Sequence, residues 1–178
     1  MKKIIVFALI AILAISCQKD PIGGTATQAI SGEWSVIYDA VDADGNVIIP
    51  DVNDGYSRVL TFCTSKNATD SIFVADEQYF TAFQGKIPCN LGQMAFGSAD
   101  MTDNLYGRTA YHGAGMIVNN GKILEGAATT PSGMPADSIY FELSFDVDNL
   151  PGMLGVEWDH YVVSGFRFTG LEGDQDGF

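Results

Sequence analysis

Two histidines, a pair of internal cysteines and a scatter of serines are the groups in this chain that could perform covalent chemistry. A serine hydrolase needs a hydroxyl nucleophile beside an imidazole base that a carboxylate holds in place. His112 and His160 are the imidazoles available, and they are the weak catalytic candidates of the chain. No Gly-x-Ser-x-Gly elbow occurs, and Ser98, Ser132 and Ser164 stand where turns or strand ends are expected. Asp159 precedes His160, but successive residues of a strand face opposite sides, so Asp159 is not expected to orient that ring. If the chain is extended beyond Glu157, Trp158, His160 and Val162 share a face and His160 projects toward the interior. His112 follows Tyr111 in a glycine-rich stretch from Gly107 to Gly115 and reads as a loop residue.

These two histidines do not have the spacing of a metal site. Asp42-Ala43-Asp44-Gly45-Asn46 resembles the start of a calcium loop but lacks the later bidentate glutamate, and a hairpin turn explains it better. Phosphate-cradling and dinucleotide motifs are also missing, so no metal and no cofactor is expected. Cys63 and Cys89 form an even pair that could bridge, closing a loop of about 25 residues worth roughly 3 kcal/mol, or could stay as two thiols.

The first seventeen residues carry a different message. Lys2 and Lys3 precede an apolar run from Ile4 to Ile15, too short to span a bilayer but suited to a signal peptide. Ser16 then stands directly before Cys17, with Ala14 where leucine is usual, which resembles the lipobox at which bacterial lipoproteins are cleaved and acylated on the new N-terminal cysteine. Residues 1–16 are therefore expected to be a signal peptide and Cys17 the lipidation site. The alternative is ordinary secretion with a free Cys17. Gln18-Lys19-Asp20 resembles the surface-export signal of some Gram-negative lipoproteins, which implies an outer-membrane protein displayed outside the cell, the periplasmic face being the other possibility. Acyl chains contribute about 0.8 kcal/mol per buried methylene, so the membrane would be engaged through Cys17 and not through the polypeptide.

The formal charge is −13, and removing Lys2 and Lys3 takes the basic residues from nine to seven and the charge to −15. Such acidity disfavours nucleic acid and anionic headgroups as partners. Residues 17–29 are small and polar and read as a flexible tether. Residues 30–178 read as one domain. In that domain apolar residues recur at every second position, most clearly at Ile139, Phe141, Leu143, Phe145 and Val147. Further strand patterns run through Trp34–Tyr38, Val59–Cys63, Ile72–Val74, Tyr79–Phe83 and Tyr161–Phe168. Asp44-Gly45-Asn46, Asp54-Gly55, Asn119-Asn120-Gly121 and Pro131-Ser132-Gly133 supply hairpin turns. Only Asn149–Val156 offers a short helical turn. The pattern predicts an all-β, antiparallel, up-and-down barrel of about eight strands.

Gly32-Glu33-Trp34 is similar to the Gly-x-Trp that opens the first strand of lipocalins, where an arginine near the last strand stacks across the tryptophan. Arg167 stands at the corresponding place, and the resemblance implies that Trp34 and Arg167 close one end of a lipocalin- or calycin-like barrel. A wider resemblance runs through Asn120-Gly121-Lys122-Ile123-Leu124, Ala128-Thr129-Thr130-Pro131-Ser132-Gly133, Asp137-Ser138-Ile139-Tyr140-Phe141-Glu142 and Ser164-Gly165-Phe166-Arg167-Phe168-Thr169-Gly170. These blocks resemble the lipid-binding putative hydrolase family of bacterial lipoproteins. The resemblance implies a small hydrophobic or lipid ligand and leaves ester hydrolysis open.

An eight-stranded barrel is wide enough for one small ligand. Tyr38, Phe141, Leu143 and His160 are then the expected lining of the cavity. Two other functions stay in view: a non-catalytic subunit of a surface assembly for glycan or nutrient capture, partnered through its outer faces, and a lipid-ester hydrolase.

Overall fold

Strand β1 (Gly32–Val41) is hydrogen-bonded on both edges, to β3 (Ser57–Cys63) and to the last strand, β10 (His160–Arg167). That second ladder runs from Trp34 opposite Arg167 to Val41 opposite His160 and closes the sheet on itself. In the computed structural model, which describes residues 23–76 and 82–174, the ring passes onward through β4 (Ser71–Asp76), β5 (Phe83–Asn90), β6 (Ala95–Phe96), β8 (Gly115–Thr129) and β9 (Pro135–Phe145). All its pairings are antiparallel, giving a closed eight-stranded barrel among the described residues. Two short strands lie off this ring: β2 (Val47–Ile49) on β1, and β7 (Thr102–Asp103) on β8. A five-residue helix, α1 (Leu150–Leu154), joins β9 to β10 and ends at Gly155, whose φ of 70° suits the left-handed cap.

Residue parity drives this closure. On β9, Ile139, Phe141 and Leu143 are fully buried while Tyr140, Glu142 and Ser144 face outward. On β10, Tyr161 and Val163 are buried on the same alternation, and Phe166, out of phase with them, is buried against the Tyr56 ring. Closing the ring in this way pairs the two strands that would be the edges of an open sheet.

One turn signal acts differently from expectation. Asn119-Asn120-Gly121 lies inside β8, where the pairing with β9 slips between Asn119 and Lys122. Asn120 takes a positive φ of 51°, so the residues that suit a hairpin here make a bulge that bends a fifteen-residue strand. Gly121 is needed there, because a Cβ would run into the ring of Phe96.

The end of the expected tether is docked. Ala26 donates its backbone N–H to Asn67 Oδ1 at 2.7 Å, Thr27 is fully buried, and Gln28–Ile30 forms a 3-10 turn. The signal peptide, Cys17, and Tyr79–Thr81 of the strand expected over Tyr79–Phe83 lie outside the described residues.

Candidate functional site

The two ends of the barrel are built from different chemistry. At the end where β1 begins and β10 finishes, the guanidinium carbon of Arg167 lies 4.4 Å from the centre of the Trp34 ring. Trp34 is fully buried, and its indole N–H donates to Thr61 Oγ1 at 2.9 Å. The Thr61 hydroxyl in turn donates to the Ile30 carbonyl at 2.7 Å. Arg167 donates from Nε to Asp137 Oδ2 and from Nη1 to the Ser31 carbonyl, both at 3.0 Å. The backbone N–H of Gly126 and, after it, Arg167 hold the Asp137 carboxyl below its usual range against the opposing effect of burial. Stacking, donation to two separate acceptors and packing together seal this end.

Across the middle the barrel is filled. Tyr38, Phe141 and Leu143, expected to line a ligand cavity, have no solvent-accessible surface and belong to the packed core. That expectation is corrected by rings meeting across the lumen: Phe141 lies 6.5 Å from Phe83 and 5.9 Å from Phe96, centre to centre. Aromatic side chains of this size occupy the space an eight-stranded ring encloses.

The opposite end holds a buried aromatic and carboxylate layer. The Tyr161 hydroxyl donates to Asp148 Oδ2 at 2.6 Å, and the Tyr38 hydroxyl donates to the fully buried Asp76 at 2.8 Å. His112 stacks on Phe145 at 4.0 Å with Nε2 3.5 Å from Asp148 Oδ1. Trp158 packs edge-on against Tyr161 at 5.7 Å. Burial first, and then Asp148, push the Tyr161 phenol well above its ordinary value, so it stays protonated. His112 does sit in a loop, as expected, yet its side chain is fully buried.

Above this layer the connecting loops expose apolar side chains. Val47 and Ile48 come from the β1–β2 hairpin, Leu105 and Tyr106 from the segment after β7, and Met153 and Leu154 from α1. Leu105 is 58% exposed and Met153 65%. Their segments are tied to the barrel rim, since Leu105 N–H bonds the Gln84 carbonyl and Asn149 N–H bonds the Tyr111 carbonyl, each at 2.8 Å.

His160 is not with them. β10 begins at His160 and turns Tyr161 inward, so His160 and Val162 face outward, one residue out of phase with the expected face. Asp159 precedes the strand and escapes its alternation, and its Oδ2 sits 3.0 Å from His160 Nδ1. Asp159 therefore does orient this ring, contrary to expectation. The two histidines are thus brought to separate places, one in the barrel end and one on its wall.

Cys63 and Cys89 are free thiols. They lie on β3 and β5 with β4 between them, a separation of two strand spacings, roughly 10 Å, which exceeds what a disulfide spans. Cys89 borders a shallow groove of about 410 Å³ together with Asn90, Gln93, Phe96 and Lys122. Burial and then Asp70 raise its pKa, which keeps it a protonated thiol and a poor nucleophile. The Asp42 carboxylate is spent on the hairpin itself, accepting from the backbone of Asp44 and Asn46. Among the described residues no group of three or more His, Cys, Asp or Glu side chains could hold a metal ion.

Asp76, Asp148 and Tyr161 went unread in the sequence as site residues because their partners lie up to 38 positions away. No spacing links them. No curated protein matches the chain. The sequence profile described as lipid-binding putative hydrolase matches residues 19–172, which is most of the chain and nearly all of the barrel. This eight-stranded barrel therefore belongs to the lipid-binding putative hydrolase family.

Proposed function

We propose that this protein binds a lipid-like molecule at the open end of its barrel, on the apolar rim above the Tyr161–Asp148 layer. The observation that carries this reading is the set of loops opposite the Trp34–Arg167 plug, where Val47, Leu105, Met153 and Leu154 stand exposed above the aromatic layer; Leu124, Met134 and Leu171 are exposed outside this rim. Exposed large apolar side chains gathered on one face mark a binding surface. Since the lumen is packed, an acyl chain gains its burial against the rim and the first aromatic layer, at about 25 cal/mol per Å2 of apolar area removed from water. Membership of a lipid-binding family supports the same ligand class.

The sequence adds a location. Residues 1–16 act as a lipoprotein signal peptide, Cys17 carries the acyl anchor, and Gln18-Lys19-Asp20 directs the protein to the outer surface of a Gram-negative cell, with residues 30–178 forming the displayed domain. Labelling with radioactive palmitate, with loss of label in Cys17→Ala, tests the anchor. Native mass spectrometry of the barrel mixed with a C16 fatty acid tests the binding. One saturable adduct is expected, and its absence at millimolar ligand contradicts the reading.

A further inference from the structure

A cleft of about 210 Å³ lies on the outer wall of the barrel, lined by Ile117, Asn119, Glu142, Ser144, Asp159 and His160. The ladder that pairs Tyr161 with Leu143 sets His160 beside Ser144 on the neighbouring strand, on the same outward face. Directly opposed side chains in such a ladder have Cβ atoms about 5 Å apart. Asp159 holds Nδ1 of His160 at 3.0 Å, which leaves Nε2 as the nitrogen able to take a proton. A serine, a histidine and an aspartate thus meet in one cleft although they are separated in sequence by up to sixteen positions.

We infer that Ser144, His160 and Asp159 form a hydrolytic site for small neutral esters, with Ser144 as nucleophile, His160 as general base and Asp159 as the positioning residue. Ser144 Oγ attacks the ester carbonyl carbon while His160 Nε2 takes the hydroxyl proton. The carbon–oxygen bond to the alcohol then breaks, and His160 returns the proton to the departing alkoxide. Water, deprotonated by the same nitrogen, releases the acid from Ser144 and restores the hydroxyl. Asn119 faces the same cleft, and its carboxamide N–H groups are the donors for the developing oxyanion. Glu142 is engaged by Asn120 Nδ2 at 2.7 Å and the Tyr140 hydroxyl at 3.1 Å, so it does not compete as the base.

Among the described residues no hydrogen bond joins Ser144 to His160. Such contacts tighten when substrate arrives and are often loose before it. Substrate class follows from the lining. Two carboxylates and no cation border the cleft, which repels anionic esters, and Ile117 offers an apolar contact for an acyl group of a few carbons. This cleft is separate from the apolar rim, so lipid binding there and hydrolysis here succeed or fail independently.

The test uses the purified, unlipidated barrel with p-nitrophenyl acetate and p-nitrophenyl butyrate, and a fluorophosphonate probe read by peptide mass. Saturable turnover and a single probe adduct on Ser144 are expected. Ser144→Ala and His160→Gln should each lower kcat/KM by about 100-fold or more. Asp159→Ala should lower it at least about tenfold and Asp159→Glu should restore part of the loss, a pattern that a purely structural aspartate does not produce. Absence of turnover, turnover unchanged by Ser144→Ala, or a probe adduct elsewhere overturns the proposal. The probe reading on the unaltered protein decides the matter even if a variant fails to fold.

Discussion

Arg167 faces Trp34 across the β1–β10 seam, its guanidinium carbon 4.4 Å from the indole centre, and the same two residues are direct partners in the ladder that closes the barrel. One contact therefore joins the first strand of the ring to the last and seals the end of the lumen. Arg167→Met keeps the aliphatic stem but removes the donors to Asp137 and the Ser31 carbonyl and the stacked charge. A loss of about 1.5–3 kcal/mol is expected in urea unfolding monitored by circular dichroism. Trp34→Ala, which empties a fully buried site, should cost more, about 3–5 kcal/mol.

Gly165 makes a second prediction at that seam. It pairs with Val36, and a Cβ there would collide with the Ser35 carbonyl and the Val36 backbone. Neither obstacle is the end of a flexible side chain, so Gly165→Ala must push β1 and β10 apart. Differential scanning calorimetry should show a loss of at least about 2 kcal/mol, because overpacking a tight interior forces backbone shifts.

Asp174 sets an acid limit on the domain. Hydrogen bonds from Thr169, the backbone and side chain of Ser132, and Thr130 outweigh the cost of burying the carboxylate and lower its pKa to about 2. An unfolded aspartate titrates near about 3.9, so the folded state binds this proton less readily. The stabilisation is complete above about pH 4 and is lost as pH falls toward about 2. Urea midpoints measured between pH 5 and 2 should fall less steeply for Asp174→Asn than for the unaltered protein, although the variant starts from a lower value.

Much of this architecture was legible in the sequence, for a physical reason. A strand with one buried face must alternate, and Ile139, Phe141 and Leu143 do so against Tyr140, Glu142 and Ser144. Where reading failed, the same local chemistry served two structures. Asn120 and Gly121 suit positive φ or a missing Cβ whether the chain reverses or merely bulges, and only pairing with β9 decides between them. The face of His160 depended on where β10 starts, and a shift of one residue inverts every side chain. Ser144 carried no local signal at all, since only strand register brings it to His160. The packed lumen was likewise hidden, because alternation says which residues point inward but not whether their rings meet.

Tyr161 ties the open end together. Tyr161→Phe removes the hydroxyl that Asp148 accepts from and leaves a carboxylate oxygen without its donor, at an expected cost of about 1–3 kcal/mol. The loop bearing His112 bridges to Asp148, so amide hydrogen exchange in residues 109–114 should speed up in this variant ahead of exchange in β1.

The rim should separate binding from folding. Leu105→Asp and Met153→Asp alter exposed side chains and should leave stability within about 0.5 kcal/mol. In a titration with a dansylated fatty acid, each should weaken binding several-fold, since an acyl chain would then lie against a charge.

The chain has two tryptophans, and the fold puts them at opposite ends: Trp34 under Arg167, and Trp158 beside Tyr161 at the open end. A fatty acid carrying a nitroxide quencher on its chain therefore reports where it binds. Saturable quenching in the unaltered protein, abolished in Trp158→Phe and preserved in Trp34→Phe if that variant folds, is the result expected of a ligand seated at the rim. Quenching that persists undiminished in Trp158→Phe, or no quenching at saturating ligand, contradicts it.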